Sequence, residues 1–344
     1  MIDVAQLTVA VPGFALNKIE LVLDSREFFA VIGPTGSGKS LLLEAMAGLV
    51  PIRQGRITIA GDDVTGMPPE TRGFGLVYQD YSLFPHMTVR ANLLYGVRYQ
   101  RLDRRTARQR LEKLAGRLGL TSLLQRYPAR LSGGEKQRVA LGRVLMLNPR
   151  AVLLDEPLSA LDPVFQDDIK ELLKELHAEW QIPFVIVSHD FSDVLYLADR
   201  GAVINGGEVI QQGDIEDLFE RPASDFVAHF VGMKNVFSCQ IREGKAWVGD
   251  LAFRLPAADR SGHVRLGIRP ESIHLVSRLE AAYENTLTGE ISRISAHGFF
   301  SAVRIDCGEI NLEAIWPRET VATCQLAPGV GVTLGIPSER LHTF

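Results

Sequence analysis

One segment of the sequence places glycines, a lysine and a hydroxyl residue at a spacing that suits phosphate binding. It consists of Gly33, Pro34, Thr35, Gly36, Ser37, Gly38, Lys39 and Ser40. The segment matches Gly-x-x-x-x-Gly-Lys-Ser/Thr, in which glycines let backbone N–H groups turn toward phosphate oxygens at the start of a helix. Lys39 can reach the β- and γ-phosphates, and the Ser40 hydroxyl can ligate Mg²⁺. We therefore predict a nucleotide site over residues 33–41, ending at Leu41.

Two adjacent carboxylates could complete this site. Asp155 and Glu156 directly follow the apolar residues 151–154, so both stand at the end of a predicted strand. Asp155 is placed to hold Mg²⁺ through water, and Glu156 to polarise an attacking water. A strand-end Asp-Glu pair alone is weak evidence, because loop carboxylates are common. Together with a phosphate-binding loop, the pair indicates nucleotide hydrolysis.

A third segment, residues 131–138, contains two consecutive glycines after a serine. Ser132 and Glu135 have the spacing of a capping box, which predicts the start of a helix. A cap does not require Gly133 and Gly134, and two glycines beside a capping serine can form a second anion site. One chain with two such helix ends and one phosphate-binding lysine suggests a head-to-tail homodimer, with nucleotide bound between subunits.

The elements around these motifs favour an α/β fold. Phe28–Ile32 is a continuous apolar run, typical of a parallel strand buried on both faces, and residues 151–154 and 184–187 share this pattern. Helical spacing follows over residues 40–49 and 163–180. This alternation predicts a mixed, mostly parallel core sheet in a P-loop ATPase domain.

Two further regions of the ATPase domain have their own patterns. Residues 1–30 alternate between apolar and polar side chains, which predicts an antiparallel β-lobe. Residues 88–150 form a predicted helical subdomain with a basic run at 101–110. We interpret the run as a solvated helix face, with packing supplied by the leucines Leu102, Leu111 and Leu114.

The sequence pattern changes near residue 233. Short alternating segments punctuated by Gly and Pro replace the helical periodicity, which predicts a small all-β, OB-like barrel. We therefore expect an ATP-binding domain over 1–232 and an all-β regulatory or dimerisation domain over 233–344. The barrel module itself is expected at about 285–344.

Composition excludes several other classes of protein. The 344 residues carry a formal net charge of −4, which gives no electrostatic reason to expect nucleic-acid binding. Three cysteines are too few and too scattered for a disulfide framework or a four-ligand zinc site. The apolar runs are much shorter than a membrane span, and no signal peptide is evident. We expect a soluble chain in a reducing, cytoplasmic compartment.

Residues 1–230 resemble the ATP-binding subunits of ABC transporters, on the motifs above and on three more in the same order. Gln79 lies in Val-Tyr-Gln-Asp and matches the Q-loop, residues 159–162 match the D-loop, and His189 matches the switch histidine. The resemblance implies that ATP and Mg²⁺ bind, that residues 131–137 contact the γ-phosphate across a homodimer, and that Glu156 is the catalytic base. It implies γ-phosphate contact for His189.

The same resemblance suggests how ATP and a membrane partner are recognised. Phe14 lies where an aromatic residue usually stacks on adenine, although a packing role is equally compatible with its position. The Q-loop is expected to face transmembrane permease subunits. A docking patch for them is expected at Tyr81, Leu83, Phe84 and Pro85. These partners place the chain at the cytoplasmic face of the membrane as a peripheral subunit.

The C-terminal region resembles the regulatory domains of prokaryotic ABC importers, which also implies an extracytoplasmic solute-binding protein. The resemblance rests on Gly-Ile-Arg-Pro-Glu at 267–271 and Asn-Thr-Leu-Thr-Gly-Glu-Ile at 285–291. The Pro-Thr-Gly-Ser loop, residues 68–72 and residues 78–86 are most similar to molybdate/tungstate importers, whose C-terminal modules are of the MOP/TOBE type.

Residues 335–340 depart from that pattern, because Gly-Ile-Pro-Ser-Glu-Arg stands where an Ile-Lys-Ala-like element is usual. A glutamate in place of the lysine weakens an anion site, so a dimerisation role without regulatory ligand binding is an alternative to a regulatory role for the barrel. Ferric ion, sulfate, polyamine and sugar-phosphate importers remain alternatives. So do a non-transport ABC ATPase and an oxoanion sensor or store.

Overall fold

The computed structural model describes residues 1–99, 103–256, 262–276 and 283–344. The chain forms two compact units, Met1–Leu218 and Phe219–Phe344. Among the described residues, no helix has both the length and the apolar character needed to cross a membrane. The sequence-based boundary at residue 232 remains a proposal about functional domains.

The first unit begins with the antiparallel lobe. Its four strands pair in the order β2-β1-β4-β5. Their bounds are β1 Ile2–Val11, β2 Phe14–Leu23, β4 Gln54–Ile59 and β5 Asp62–Asp63. The buried residues of β1 and β2 share a common hydrophobic core and alternate with more exposed ones, apart from one irregular step in each strand, as expected for a sheet covered on one face.

A six-stranded sheet forms the centre of this unit, in the order β10-β9-β3-β8-β7-β6. Its strands are β3 Phe28–Ile32, β6 Phe74–Val77, β7 Ala151–Asp155, β8 Phe184–Val187, β9 Arg200–Asn205 and β10 Glu208–Asp214. All pairs are parallel except β9 with β10. Every residue of β3 and β8 is buried, which explains their uninterrupted apolar sequences. The predicted mixed, mostly parallel sheet is confirmed.

Helices connect these strands. Their bounds are α1 Lys39–Ala47, α2 Pro69–Arg72, α3 Val89–Leu94, α4 Arg104–Arg117, α5 Gly133–Leu145, α6 Pro163–Trp180, α7 Phe191–Leu197 and α8 Ile215–Glu220, with 3-10 turns at Gly96–Tyr99, Thr121–Leu123 and Pro128–Arg130. In α4, Leu111 and Leu114 are buried as predicted, while Arg104, Arg105 and Arg108 are exposed. Leu102 lies outside the described residues.

The second unit consists mainly of two antiparallel sheets, ordered β13-β12-β11-β14-β20 and β15-β19-β16-β17-β18. Their strands are β11 Asn235–Arg242, β12 Lys245–Val248, β13 Leu251–Arg254, β14 Gly262–Ile268, β15 His274–Leu275, β16 Asn285–His297, β17 Phe300–Asp306, β18 Asn311–Pro317, β19 Gly331–Ile336 and β20 Leu341–Thr343. Helix α9, Asp225–Phe230, precedes them, a short helix α10, Arg318–Thr323, follows β18, and 3-10 turns lie at Pro270–Ser272 and Ser338–Arg340. The two sheets share one hydrophobic core, in agreement with the expected β domain.

Candidate functional site

The phosphate-binding loop joins β3 to α1, so it lies at the carboxyl end of a central strand. Lys39 opens α1, is 8% exposed, and donates from Nζ to the carbonyl oxygens of Gly33 and Pro34, both at 2.9 Å. Burial lowers the pKa of Lys39, and the nearby Glu156 and Asp155 carboxylates act in the opposite direction. The ammonium group is thus held inside the loop by neutral acceptors, which a more strongly accepting phosphate oxygen can replace.

Two glycines of the loop are required by close contacts. A Cβ on Gly33 would lie 2.1 Å from the carbonyl oxygen of Ile204 on β9. Gly38 has a φ of 103°, and a Cβ there would lie 2.8 Å from the ring of Phe14. A side chain at either position would displace the loop backbone. Since phosphate binding depends on the direction of its N–H groups, the path of the loop requires both glycines.

The other loop residues have different environments. Thr35, Gly36 and Ser40 are exposed, so their groups can be reached by a ligand. Ser37 is buried, and in the described part of the chain its hydroxyl has no hydrogen-bond partner. Leu41 packs against the hydrophobic core, so only its backbone could take part in the predicted site.

The predicted carboxylates and the switch histidine meet at the ends of β7 and β8. The Ser40 hydroxyl donates to Asp155 Oδ1 at 3.0 Å, and burial raises the pKa of Asp155. Glu156 has a φ of 46°, and its Oε2 lies 2.9 Å from Nδ1 of His189. The side chain of His189 is 64% exposed. The fold therefore brings Lys39, Ser40, Asp155, Glu156 and His189 to one edge of the sheet.

The Q-loop leaves the sheet after β6, beside the other three strand ends. Gln79 is exposed there. The loop after it is fixed by α5, because Arg143 donates to the carbonyl oxygens of Tyr81 at 3.2 Å and Ser82 at 2.5 Å. The Tyr81 hydroxyl donates to the carbonyl oxygen of Ala160 in the D-loop at 3.4 Å. These bonds connect the Q-loop, the D-loop and the helix that follows the signature segment.

Hydrogen bonds from a buried side chain of α3 hold the backbone of the expected docking patch. The fully buried amide of Asn92 donates to the carbonyl oxygens of Phe84, Met87 and Thr88, each at 3.1 Å. Its Oδ1 accepts from the backbone N–H of Phe84 at 2.9 Å. The patch is less exposed than its sequence suggests, since Pro85 is exposed but the other members are half-buried, namely Tyr81, Leu83 and Phe84.

The signature segment opens α5 through the predicted capping box, which is confirmed. Ser132 Oγ accepts from the backbone N–H of Glu135 at 3.2 Å, and Glu135 Oε2 accepts from the backbone N–H of Ser132 at 2.7 Å. Gly133 lies beside the D-loop, where a Cβ would be 3.1 Å from the Leu161 side chain. At this helix end Ser132 is exposed, Gly133 is half-buried and Gly134 is buried.

The D-loop ends where α6 begins. Asp162 occupies the N-cap of α6 and Pro163 the first helical position, but the Asp162 side chain makes no capping hydrogen bond. The Phe165 N–H, a usual recipient of such a cap, donates to the Asp162 carbonyl oxygen at 2.9 Å. The exposed Asp162 carboxylate is therefore not used in holding its own helix.

Arg72 is a residue whose importance sequence reasoning missed. It is 4% exposed and donates to four backbone carbonyl oxygens, those of Thr65 at 2.7 Å, Met67 at 2.8 Å, Ala45 at 2.9 Å and Met46 at 3.3 Å. Two of these belong to the last turn of α1, whose other end carries Lys39. Arg72 therefore fixes the phosphate-binding helix to the segment that leads into β6.

Comparison with known proteins identifies the family. Residues 16–159 match the family model described as ABC transporter, and residues 266–344 match the TOBE domain. A molybdate/tungstate import ATP-binding protein of Pyrococcus horikoshii is 34% identical over 96% of both chains. A sulfate/thiosulfate import ATP-binding protein of Nocardia farcinica is 38% identical over 86% of this chain and 91% of its own.

Solved structures agree with this result. A dimeric ATP-binding cassette in a post-hydrolysis state, bound to ADP and Pi, has a TM-score of 0.56 and 26% identity over 62% of this chain and 99% of that one. A nucleotide-free cassette from an ABC transporter has a TM-score of 0.59 and 25% identity over 66% and 98%. The chain therefore belongs to the ATP-binding subunits of ABC importers, which are ATPases coupled to transport.

Proposed function

We propose that this subunit powers the uptake of molybdate or tungstate. The observation that carries the proposal is the 34% identity to the P. horikoshii protein over 96% of both chains, including the C-terminal unit. Sulfate is the second candidate, since the N. farcinica relative is 38% identical over a shorter stretch. In either case we propose a homodimer at the cytoplasmic face of the membrane, with permease subunits and an extracytoplasmic solute-binding protein.

Residues 33–40 are proposed to bind the phosphates of ATP. The two bonds from Lys39 Nζ to loop carbonyls at 2.9 Å would be exchanged for bonds to the β- and γ-phosphates. This exchange is favourable because a charged acceptor forms a stronger bond than a neutral carbonyl. Phe14, whose ring packs beside Gly38, stays a candidate for contact with adenine.

Ser40 and Asp155 are proposed to hold Mg²⁺. Their hydroxyl and carboxylate oxygens lie 3.0 Å apart, and hard oxygen ligands of this kind suit Mg²⁺. Burial raises the pKa of Asp155, and a bound cation would favour its ionised form. When bound, Mg²⁺ would neutralise charge on the phosphate oxygens.

Hydrolysis is proposed to depend on positioning rather than on a covalent intermediate. Glu156 would accept a hydrogen bond from the attacking water and orient it toward the γ-phosphorus. His189, now 2.9 Å from Glu156, would contact the γ-phosphate. In the homodimer, Ser132 of the opposite subunit would donate to the same phosphate, so turnover would require closure of the dimer.

The motion is proposed to reach the permease through the Q-loop. Gln79 would respond to the nucleotide, and the loop after it is already joined to α5 through Arg143 and to the D-loop through Tyr81. A displacement of either element would therefore move the docking patch. This arrangement links a change at the γ-phosphate to a change at the membrane partner.

Reconstitution with the permease and binding protein tests the solute. ATPase activity in proteoliposomes is measured with molybdate, tungstate or sulfate on the binding-protein side. We expect molybdate or tungstate to stimulate turnover more than sulfate does. Stimulation by sulfate alone would reject the molybdate/tungstate assignment and leave the family assignment intact.

A further inference from the structure

The helical part of the first unit has a charge opposite to that of the rest of the chain. Residues 88–150 contain 15 lysines and arginines but only three aspartates and glutamates. Their formal charge is therefore +12, whereas the whole chain has −4, which leaves −16 for all other residues. Such segregation creates a positive field on one part of the surface. The ATP site accounts for few of these cations, since most lie outside the signature segment.

The three acidic residues of this region are already used internally. Asp103 caps α4 by accepting from the backbone N–H groups of Arg105 at 2.9 Å and Thr106 at 3.0 Å. Glu112 pairs with Arg108 at 2.8 Å, and Glu135 completes the capping box of α5. None of these carboxylates is available to neutralise the remaining cations.

Several of the cations share one open surface. An open groove of about 610 Å³ is bordered by Arg90, Arg98 and Arg104 and has Leu94 and Val97 among its apolar lining. The segment containing Arg126 lies beside it, because the backbone N–H of Val89 donates to the Arg126 carbonyl oxygen at 2.8 Å. We call Arg90, Arg98, Arg104, Arg105 and Arg126 the basic surface. In the described part of the chain, none of the five side chains forms an ion pair.

Two exposed tyrosines accompany these arginines. Tyr99, next to Arg98, is 77% exposed, and Tyr127, next to Arg126, is 48% exposed. Tyrosine rings beside cationic side chains are enriched at the boundary between membrane and water, where the ring lies at headgroup level. Clusters of arginine close to a membrane gain electrostatic free energy from anionic lipids.

We propose that the basic surface binds the headgroups of anionic phospholipids. The inference rests on the proposed function only in that the subunit must work beside a membrane. A lipid surface fits better than an acidic protein segment for two reasons. The arginines extend from α3 across α4 to residue 126, and in the described part of the chain no carboxylate fixes the position of their guanidinium groups. Anionic headgroups can instead adapt to each guanidinium separately.

Vesicle binding of the full-length protein tests the proposal. Vesicles of phosphatidylcholine alone are compared with vesicles of equal parts phosphatidylcholine and phosphatidylglycerol, at low and high salt. Wild-type protein should sediment with the anionic vesicles only, and less so at high salt. The triple variant Arg98→Gln, Arg104→Gln, Arg105→Gln should bind about 100-fold more weakly, on an effect of about five-fold per charge.

A matched variant controls for net charge. Arg53, Lys245 and Arg318 are exposed and lie outside the basic surface, so Arg53→Gln, Lys245→Gln, Arg318→Gln should bind like wild type. ATP binding by each variant confirms that it is folded. Equal binding by both triple variants, or no wild-type binding to anionic vesicles, would overturn the proposal. In that case, if the Arg98, Arg104 and Arg105 variant alone failed to co-purify with the permease, the surface would be assigned to an acidic protein segment. Vesicle binding requires no transported solute, so a wrong solute assignment would not affect it.

Discussion

Replacing Arg72 by methionine should destabilise the first unit strongly. The methionine can occupy the space of the arginine stem, but it has no donors for the four carbonyl oxygens. The Ala45 carbonyl keeps its bond from the Gly48 N–H. The carbonyl oxygens of Met46, Thr65 and Met67 lose the donor described for them, and each loss costs about 1 kcal/mol of stability. The C-terminal end of α1 also loses a favourable cation, which costs about 0.5–1 kcal/mol.

Burial of the guanidinium offsets part of this loss. Burial lowers the pKa of Arg72, which means that removing the charged guanidinium from water costs the wild-type protein some stability. We therefore expect a net decrease of about 3 kcal/mol in the free energy of unfolding. For a unit of this size, such a decrease corresponds to about 6–12 °C in Tm.

Calorimetry with and without MgATP measures this effect. The chain has two compact units, so two transitions are expected, and the ATP-stabilised one reports the first unit. Arg72→Met should lower that transition alone. Arg72→Lys should be intermediate, because one ammonium group cannot reach all four carbonyls. Arg53→Met, at an exposed position, should change stability by less than about 0.5 kcal/mol. An Arg72→Met protein with the wild-type transition would refute the reasoning.

Three further predictions concern the ATP site. Glu156→Gln should retain ATP binding, lower turnover at least about 100-fold and favour an ATP-bound dimer; unchanged steady-state ATPase activity would remove Glu156 from the role of base. Asp155→Asn should stabilise the nucleotide-free protein, because burial raises the wild-type pKa. The gain in stability should grow as the pH rises from the pKa of Asp155 in the unfolded chain toward its higher pKa in the folded chain, and it should disappear at lower pH. The Mg²⁺-dependent affinity for ATP should fall. Urea unfolding measured across this pH range would contradict the prediction if the stability difference had the opposite sign. Gly38→Ala should weaken ATP binding about ten-fold or more and cost about 1–3 kcal/mol, since φ is 103° and the new Cβ would lie 2.6 Å from Leu16. Gly116→Ala, in α4 with nothing within 4 Å of its Cβ, should instead stabilise by about 0.5–1 kcal/mol; similar losses of stability and ATP affinity in both would disprove the steric argument.

Local patterns predicted the parts of the fold that depend on local interactions. The all-apolar β3 sequence indicated a strand buried on both faces, and the spacing of Ser132 and Glu135 indicated a helix start. Both are confirmed, because a strand covered on both faces is apolar along its own sequence and a capping box depends on two residues three positions apart. The phosphate-binding loop was recognisable for the same reason, since its geometry is determined by eight consecutive residues.

Interactions between distant segments could not be predicted in this way. Arg72, Asn92 and Arg143 each bind backbone carbonyls, which leave no trace in the sequence of the partner segment. Their own residue types are equally common on solvated surfaces. Asp162 shows the same limit, because it occupies the N-cap of α6 but its side chain makes no capping hydrogen bond.

The order of the strands has a consequence for the synthesis of the protein. Lys39, His189, the Asp155–Glu156 pair and Gln79 follow β3, β8, β7 and β6, which are neighbours in that order within the sheet. The strand inserted between β3 and β7 is translated last of these four. The central pairing therefore has a long sequence separation and is expected to form late. A nascent chain that ends before β8 would carry the entire phosphate-binding loop without a completed sheet around it. ATP binding should consequently be acquired only after β8 has joined the sheet.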